Sequence, residues 1–167
     1  REMLAEKTAA DIRRLPDLEN VPADVLDFAA GPWADVIALA QVLKGCIDDL
    51  KLAIEGKGLV IDYQSFVNRM LERTGKDVGS ARKLYADAQA FVFCSAALSR
   101  KTMEADPANV AMCPYGIVVY ETAGEPGKIY VSYRRPWRPD GSVASKAALT
   151  EVDKLLDGIA REALGLR

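Results

Sequence analysis

Apolar positions along this chain fall into helical and extended patterns in turn. Val36, Leu39, Ala40, Leu43, Cys46, Ile47, Leu50, Ala53 and Ile54 recur at helical spacing and predict one amphipathic helix from Pro32 to about Glu55. Gly56 follows as its natural C-cap. Gly58 to Tyr63 is a near-continuous apolar run, the pattern of a strand buried on both faces. A short helix is predicted from Gln64 to Arg73, with Phe66, Val67, Met70 and Leu71 inward. After a loop from Thr74 to Ser80, a further short helix (Ala81 to Ala88) leads into a strand from Ala90 to Cys94.

Ser95 is placed to cap a helix from Ala96 to about Ala105, which Asp106-Pro107 ends. Cys113-Pro114 then leads into a strand, Tyr115 to Glu121. Gly124-Glu125-Pro126-Gly127 is a turn signal. The return strand, Lys128 to Arg134, puts Ile129, Val131 and Tyr133 on one face and Tyr130, Ser132 and Arg134 on the other. A last helix, Lys146 to Leu164, carries the stripe Leu149, Val152, Leu155 or Leu156, Ile159 and Ala163. Upstream, residues 2–14 read as a short helix, and Pro22 and Pro32 each suit a helix first turn. The order is that of an α+β fold: a two-layer α/β sandwich in which helices cover one face of a small mixed or antiparallel sheet.

Composition narrows the function classes. The 167 residues are 50% hydrophobic, enough for a core without staples. A net charge of −2 supplies no global field for nucleic acid, so no nucleic-acid partner is expected. The chain has no histidine, which rules out His-dependent triads, His-containing zinc sites and proximal-His haem ligation. Its 3 cysteines are too few for a disulfide framework or an all-cysteine tetrahedral metal site. No stretch approaches the ~20 apolar residues of a membrane span. The odd cysteine count fits a reducing, cytoplasmic setting; a periplasmic location after removal of an export signal is the alternative.

Candidate chemistry gathers between residues 91 and 136. Cys94 is expected at a strand end before a helix N-terminus, where unpaired N–H groups favour a thiolate, and Arg100 in that helix adds charge. The commoner fate of such a cysteine is burial as a small hydrophobe. Cys113-Pro114-Tyr115 allows three readings. Cys113 can pair with Cys94 if their Cα atoms lie within about 7 Å; it can offer a thiolate to haem iron; or it simply packs where proline fixes the start of a strand. Asp62, after Leu59-Val60-Ile61, is the most interesting carboxylate. Arg134, Arg135 and Arg138 interleave with Tyr130, Tyr133 and Trp137, a pattern that can hold single-stranded nucleic acid or an anionic ligand. The slightly acidic balance argues against nucleic acid, and the simplest reading is a solvated strand end with cation–π contacts to Trp137. Gly56-Lys57-Gly58 fails as a phosphate loop: it lacks the upstream glycine and the following Ser/Thr, and it follows a helix.

The segments IDDLKLAIEGKGLVIDY (47–63), MLERTGKDVGS (70–80), FCSAALSRKTMEADPANVAMCPYGIVVYE (93–121) and IYVSYRRP (129–136) resemble, collinearly, the bacterial domain-of-unknown-function 302 family. The likeness implies a small two-layer α/β domain and a homodimer, and no established activity. VPADVLDFAAGPWADVIALA resembles a Gly-Pro-Trp helical motif of the domain-of-unknown-function 1631 family. The chain is therefore divided into a helical extension (1–41) and an α/β domain (42–167). The simplest reading of the extension is two short helices over an exposed face, anchored by Phe28 and Trp33.

The expected function is a non-enzymatic domain that binds a small ligand or another protein, without cofactor, metal or catalytic residues. Its site would lie where Cys94 and Ser95 meet Cys113, Pro114 and Tyr115, with Arg100 and Asp62 near. The alternative is a thiol-based redox or sensor protein using Cys94 and Cys113.

Overall fold

The structure, a computed structural model, describes residues 34–39, 43–80 and 82–166. The predicted helices of residues 2–33, and the roles of Phe28 and Trp33, lie outside the described residues. The elements are β1 (Ala34–Leu39), α1 (Leu43–Gly56), β2 (Val60–Phe66), α2 (Val67–Thr74), β3 (Tyr85–Cys94), α3 (Ala96–Ala105), a 3-10 turn (Pro107–Met112), β4 (Tyr115–Thr122), β5 (Ile129–Arg134) and α4 (Val143–Ala163). The strands form one five-stranded sheet, β1-β5-β4-β3-β2. Every pairing in it is antiparallel. With helices packed on one face, this is the expected α+β sandwich.

The core lies between that face and α1 and α4. Phe91 and Phe93 of β3, Tyr115, Ile117 and Val119 of β4, and Ile129, Val131 and Tyr133 of β5 alternate into it. Leu50 and Ile54 of α1 and Val152, Leu156 and Ile159 of α4 meet them. Cys46 lies fully within this core, as its place in the α1 stripe requires. Of the two alternatives in α4, Leu156 is the buried residue and Leu155 is half-buried.

The structure corrects four expectations. First, no single helix spans Pro32 to Glu55. Ala34–Leu39 is a strand whose six residues pair with Ile129–Arg134, and the helix starts at Leu43. The short apolar run fits either period, and the otherwise open edge of β5 decides for extension. Second, Tyr85 to Ala88 extends β3, with a bulge between Tyr85 and Asp87, and is no helix. Pairing with Tyr120 to Thr122 overrides the local helical bias of alanine.

Third, β2 is an edge strand. Val60 is 72% and Tyr63 62% exposed, and a bulge between Ile61 and Tyr63 leaves Asp62 unpaired. Only β3 pairs with it among the described residues, so its other edge stays open. Fourth, α2 buries none of its residues, and Met70 is exposed. The break after α1 also differs in detail: Gly58, with φ +71, is the left-handed residue rather than Gly56.

Candidate functional site

Two chain reversals bring the sequence-predicted cysteines together. β3 ends at Cys94, and Ser95 caps α3 by accepting a hydrogen bond from the Leu98 amide at 3.4 Å. α3 runs out to Ala105, and the 3-10 turn brings the chain back to Cys113 at the start of β4. Phe93 and Tyr115 are register partners, so the residues flanking that pair, Cys94 and Cys113's successor Pro114, sit at one end of the sheet. The Cys94 and Cys113 sulfurs lie 3.0 Å apart, and both thiols are free.

A small polar group surrounds the sulfurs. Ser99 Oγ lies 3.5 Å from Cys113 Sγ and 3.2 Å from the Tyr115 hydroxyl. Sequence reasoning missed Ser99. It lies four residues after the Ser95 cap, so one helical turn carries it back over the strand end. The Cys113 sulfur thus faces Cys94 and Ser99.

The electrostatics oppose a reactive thiolate. Burial, foremost, pushes the Cys94 thiol up to about 11 from its ordinary value near 9.0. The hydrogen bond and charge of Cys113, and the nearby Asp62, act in the same direction, against one favourable backbone contact from Tyr115. The expected lowering by the helix N-terminus is outweighed. Arg100 does not relieve this, because its guanidinium pairs with Glu104 at 2.9 Å on the exposed side of α3. Burial also raises the Tyr115 hydroxyl, partly offset by Ser99. Asp62 is exposed on the β2 bulge.

A buried staple fixes the segment that delivers Cys113. Asn109, 0% exposed, donates to the Thr102 carbonyl at 2.8 Å and to Ser145 Oγ at 2.9 Å. It accepts in turn from Ser145 at 3.1 Å. Asn109 thereby ties the 3-10 turn to the end of α3 and the start of α4. Arg138 clamps the outside, donating to Asp106 at 2.8 Å and Asp140 at 3.1 Å. Asn109 and Ser145 gave no sequence signal of this contact, because they lie 36 residues apart in the chain. Arg138 stood out in the sequence for its aromatic neighbours, not for its aspartates.

The arginine–aromatic cluster is largely neutralised. Arg135 pairs with Asp153 at 3.0 Å, and Arg138 with its two aspartates. The cation over Trp137 is Lys146, 5.8 Å from the ring centroid, instead of an arginine. The aromatic order lies on the hairpin: Tyr120 stacks on Tyr130 with centroids 4.9 Å apart, and Tyr85 meets Tyr120 edge-on. Tyr130 donates to Glu125 at 2.6 Å.

A groove of about 420 Å³ opens beside the cysteines. Its walls include Met112, Pro114, Val118, Ser132, Arg134 and Pro136. It therefore begins at the strand start expected from the sequence, but runs along β4 and β5 and leaves both sulfurs outside its lining. Among the described residues, no helix is long and apolar enough to cross a membrane.

The family model described as "Domain of unknown function DUF302" matches residues 40–163. The chain belongs to the DUF302 family. A crystal structure of an uncharacterised conserved DUF302 protein from Bacillus stearothermophilus shares the fold, with a TM-score of 0.65 at 15% identity. That likeness covers 80% of this chain and 99% of the other. No curated protein matches the chain. DUF302 membership thus accounts for the two-layer architecture and leaves the chemistry to be read from the cysteine pair and the groove.

Proposed function

We propose that this DUF302 domain is a non-enzymatic thiol–disulfide sensor in which Cys94 and Cys113 form the reversible pair. One observation carries the reading: the two free sulfurs face each other at 3.0 Å. Closing a disulfide there needs little movement of the backbone.

The chemistry is a two-step exchange with a low-molecular-weight disulfide, RSSR. One cysteine thiolate attacks RSSR, forming a mixed disulfide and releasing RS⁻, which takes up a proton. The second cysteine, as thiolate, then attacks the mixed disulfide, and a second RSH leaves. Two protein thiols are oxidised and one RSSR is reduced to two RSH. With its thiol raised to about 11, Cys94 is ionised at neutral pH in only about one molecule in ten thousand. That supports a slow response to sustained oxidation rather than catalytic turnover.

The test is peptide mapping of the full chain after equilibration with oxidised glutathione. The expected product is a Cys94–Cys113 cross-link, reversed by dithiothreitol, with Cys46 still reduced. Cys94→Ser and Cys113→Ser should each trap a glutathione adduct on the remaining partner. Recovery of only separate adducts in the unsubstituted protein would sink the proposal.

A further inference from the structure

The groove along β4 and β5 has a feature that the cysteine pair does not explain. Gly116 sits inside β4, paired with Val92 of β3. Glycine weakens a strand interior, because it packs nothing and loses the most backbone freedom. Its backbone has no positive φ that would demand glycine. A Cβ built there meets only the Phe91 carbonyl oxygen, at 3.9 Å, which is ordinary contact. Neither conformation nor crowding among the described residues therefore calls for glycine. What the missing side chain does is leave the groove open, because Gly116 is part of its lining. Close approach of a ligand or another backbone is one of the reasons a strand interior keeps glycine.

The rest of the lining gives the chemistry of that molecule. Pro114, Pro136 and Val118 supply stiff apolar walls and Met112 an adaptable one. By strand alternation Gly116 and Val118 of β4 and Ser132 and Arg134 of β5 share the face opposite the core residues. Val118 and Ser132 are direct partners across the strands. Arg134 is exposed, and its side chain makes no ion pair or hydrogen bond among the described residues. Its neighbours Arg135 and Arg138 are both paired with aspartates. One open guanidinium fork, beside the Ser132 hydroxyl and apolar walls, matches a single carboxylate on a planar body. A multiply charged phosphate would call for more cations. The cavity volume lies in the range of small-molecule sites.

We propose that the β4–β5 groove binds a small aromatic carboxylate, its ring lying over Gly116 between Pro114 and Val118 and its carboxylate held by Arg134 and Ser132. This reading is independent of the thiol pair, and its test keeps the cysteines reduced throughout.

The probe is 2-naphthoate, titrated calorimetrically into the reduced full-length chain. The expected result is saturable binding at one site per chain. Arg134→Gln should weaken it about tenfold or more, as loss of a charge-assisted hydrogen bond implies. Gly116→Leu should abolish it by filling the groove, with the circular dichroism spectrum unchanged. Should Gly116→Leu fail to fold, Arg134→Gln, a surface change, still decides. The neutral isostere 2-naphthamide should bind at least tenfold more weakly than the acid. Equal binding of acid and amide, or an Arg134→Gln affinity equal to that of the unsubstituted chain, would overturn the proposal. So would absence of binding, including the case in which sedimentation shows the face buried between two copies of the chain.

Discussion

Cys46 and Cys94 are both held protonated, by the same force to different extents. Burial dominates in each case and pushes Cys46 up to about 12 and Cys94 to about 11. An acid raised in the folded state favours folding while it stays neutral. That contribution is intact below the unfolded thiol value near 9 and is lost as pH climbs toward 11 and 12. Unfolding midpoints in urea should therefore fall steadily above pH 9, and Cys46→Ala should flatten the decline. The same ionisation sets reactivity. Iodoacetamide labelling of Cys94, followed by peptide mapping, should be slower at pH 7 than for a free cysteine peptide and keep rising past pH 10. A plateau near pH 8.5 would contradict the burial argument. The convergence of Cys94 and Cys113 was legible in the sequence, because each borders a strand end on either side of one helix. Ser99 and Asn109 were not legible: nothing local marks which surface serine or turn asparagine faces a distant partner.

At the scale of elements, residues with two plausible periods decided where sequence reasoning held. α3 and α4 carry capping serines, Ser95 and Ser142, whose side chains accept from Leu98 and Ser145 amides. The Ser95 cap marked α3 in the sequence, whereas α4 starts at Val143 behind Ser142, three residues before the Lys146 start that its apolar stripe predicted. The β4–β5 hairpin was equally legible, since Gly127, at φ +84, fits a turn that other residues resist. Gly127→Ala should cost about 1 kcal/mol in urea unfolding. Ala34–Leu39 and Tyr85–Ala88 are different, because their strand state depends on the neighbours they pair with, far off in sequence. The Asn109 staple is an element-scale device of the same non-local kind. Asn109→Ala leaves Ser145 Oγ and the Thr102 carbonyl without their buried partner. We expect a loss of roughly 2–4 kcal/mol, from several buried hydrogen bonds at about 1 kcal/mol each plus desolvation. The same variant should close the Cys94–Cys113 disulfide more slowly, because the 3-10 turn no longer holds Cys113 in place. Unchanged closure in a folded variant would separate the staple from the thiol pair.

For the molecule as a whole, the cysteine pair closes the whole excursion between β3 and β4. The two residues are 19 apart in sequence, and α3 and the 3-10 turn lie entirely within the loop they bound. Cross-linking them removes the freedom of that loop from the unfolded chain. For a loop of this length the chain-entropy argument gives about 3 kcal/mol. That is a large share of the roughly 5–15 kcal/mol that holds a typical domain folded. Oxidation should therefore raise the urea midpoint well beyond experimental scatter, and dithiothreitol should reverse the change. A Cys94→Ser, Cys113→Ser double variant should show no difference between oxidising and reducing conditions. The native-state cost of closure opposes the entropic gain, and it should be small here because the sulfurs already meet. A midpoint that falls on oxidation would mean that bond formation distorts the Ser99–Tyr115 surroundings by more than the loop entropy returns. The thiol pair would then act as a destabilising switch, opening the end of the sheet next to the β4–β5 groove instead of locking it.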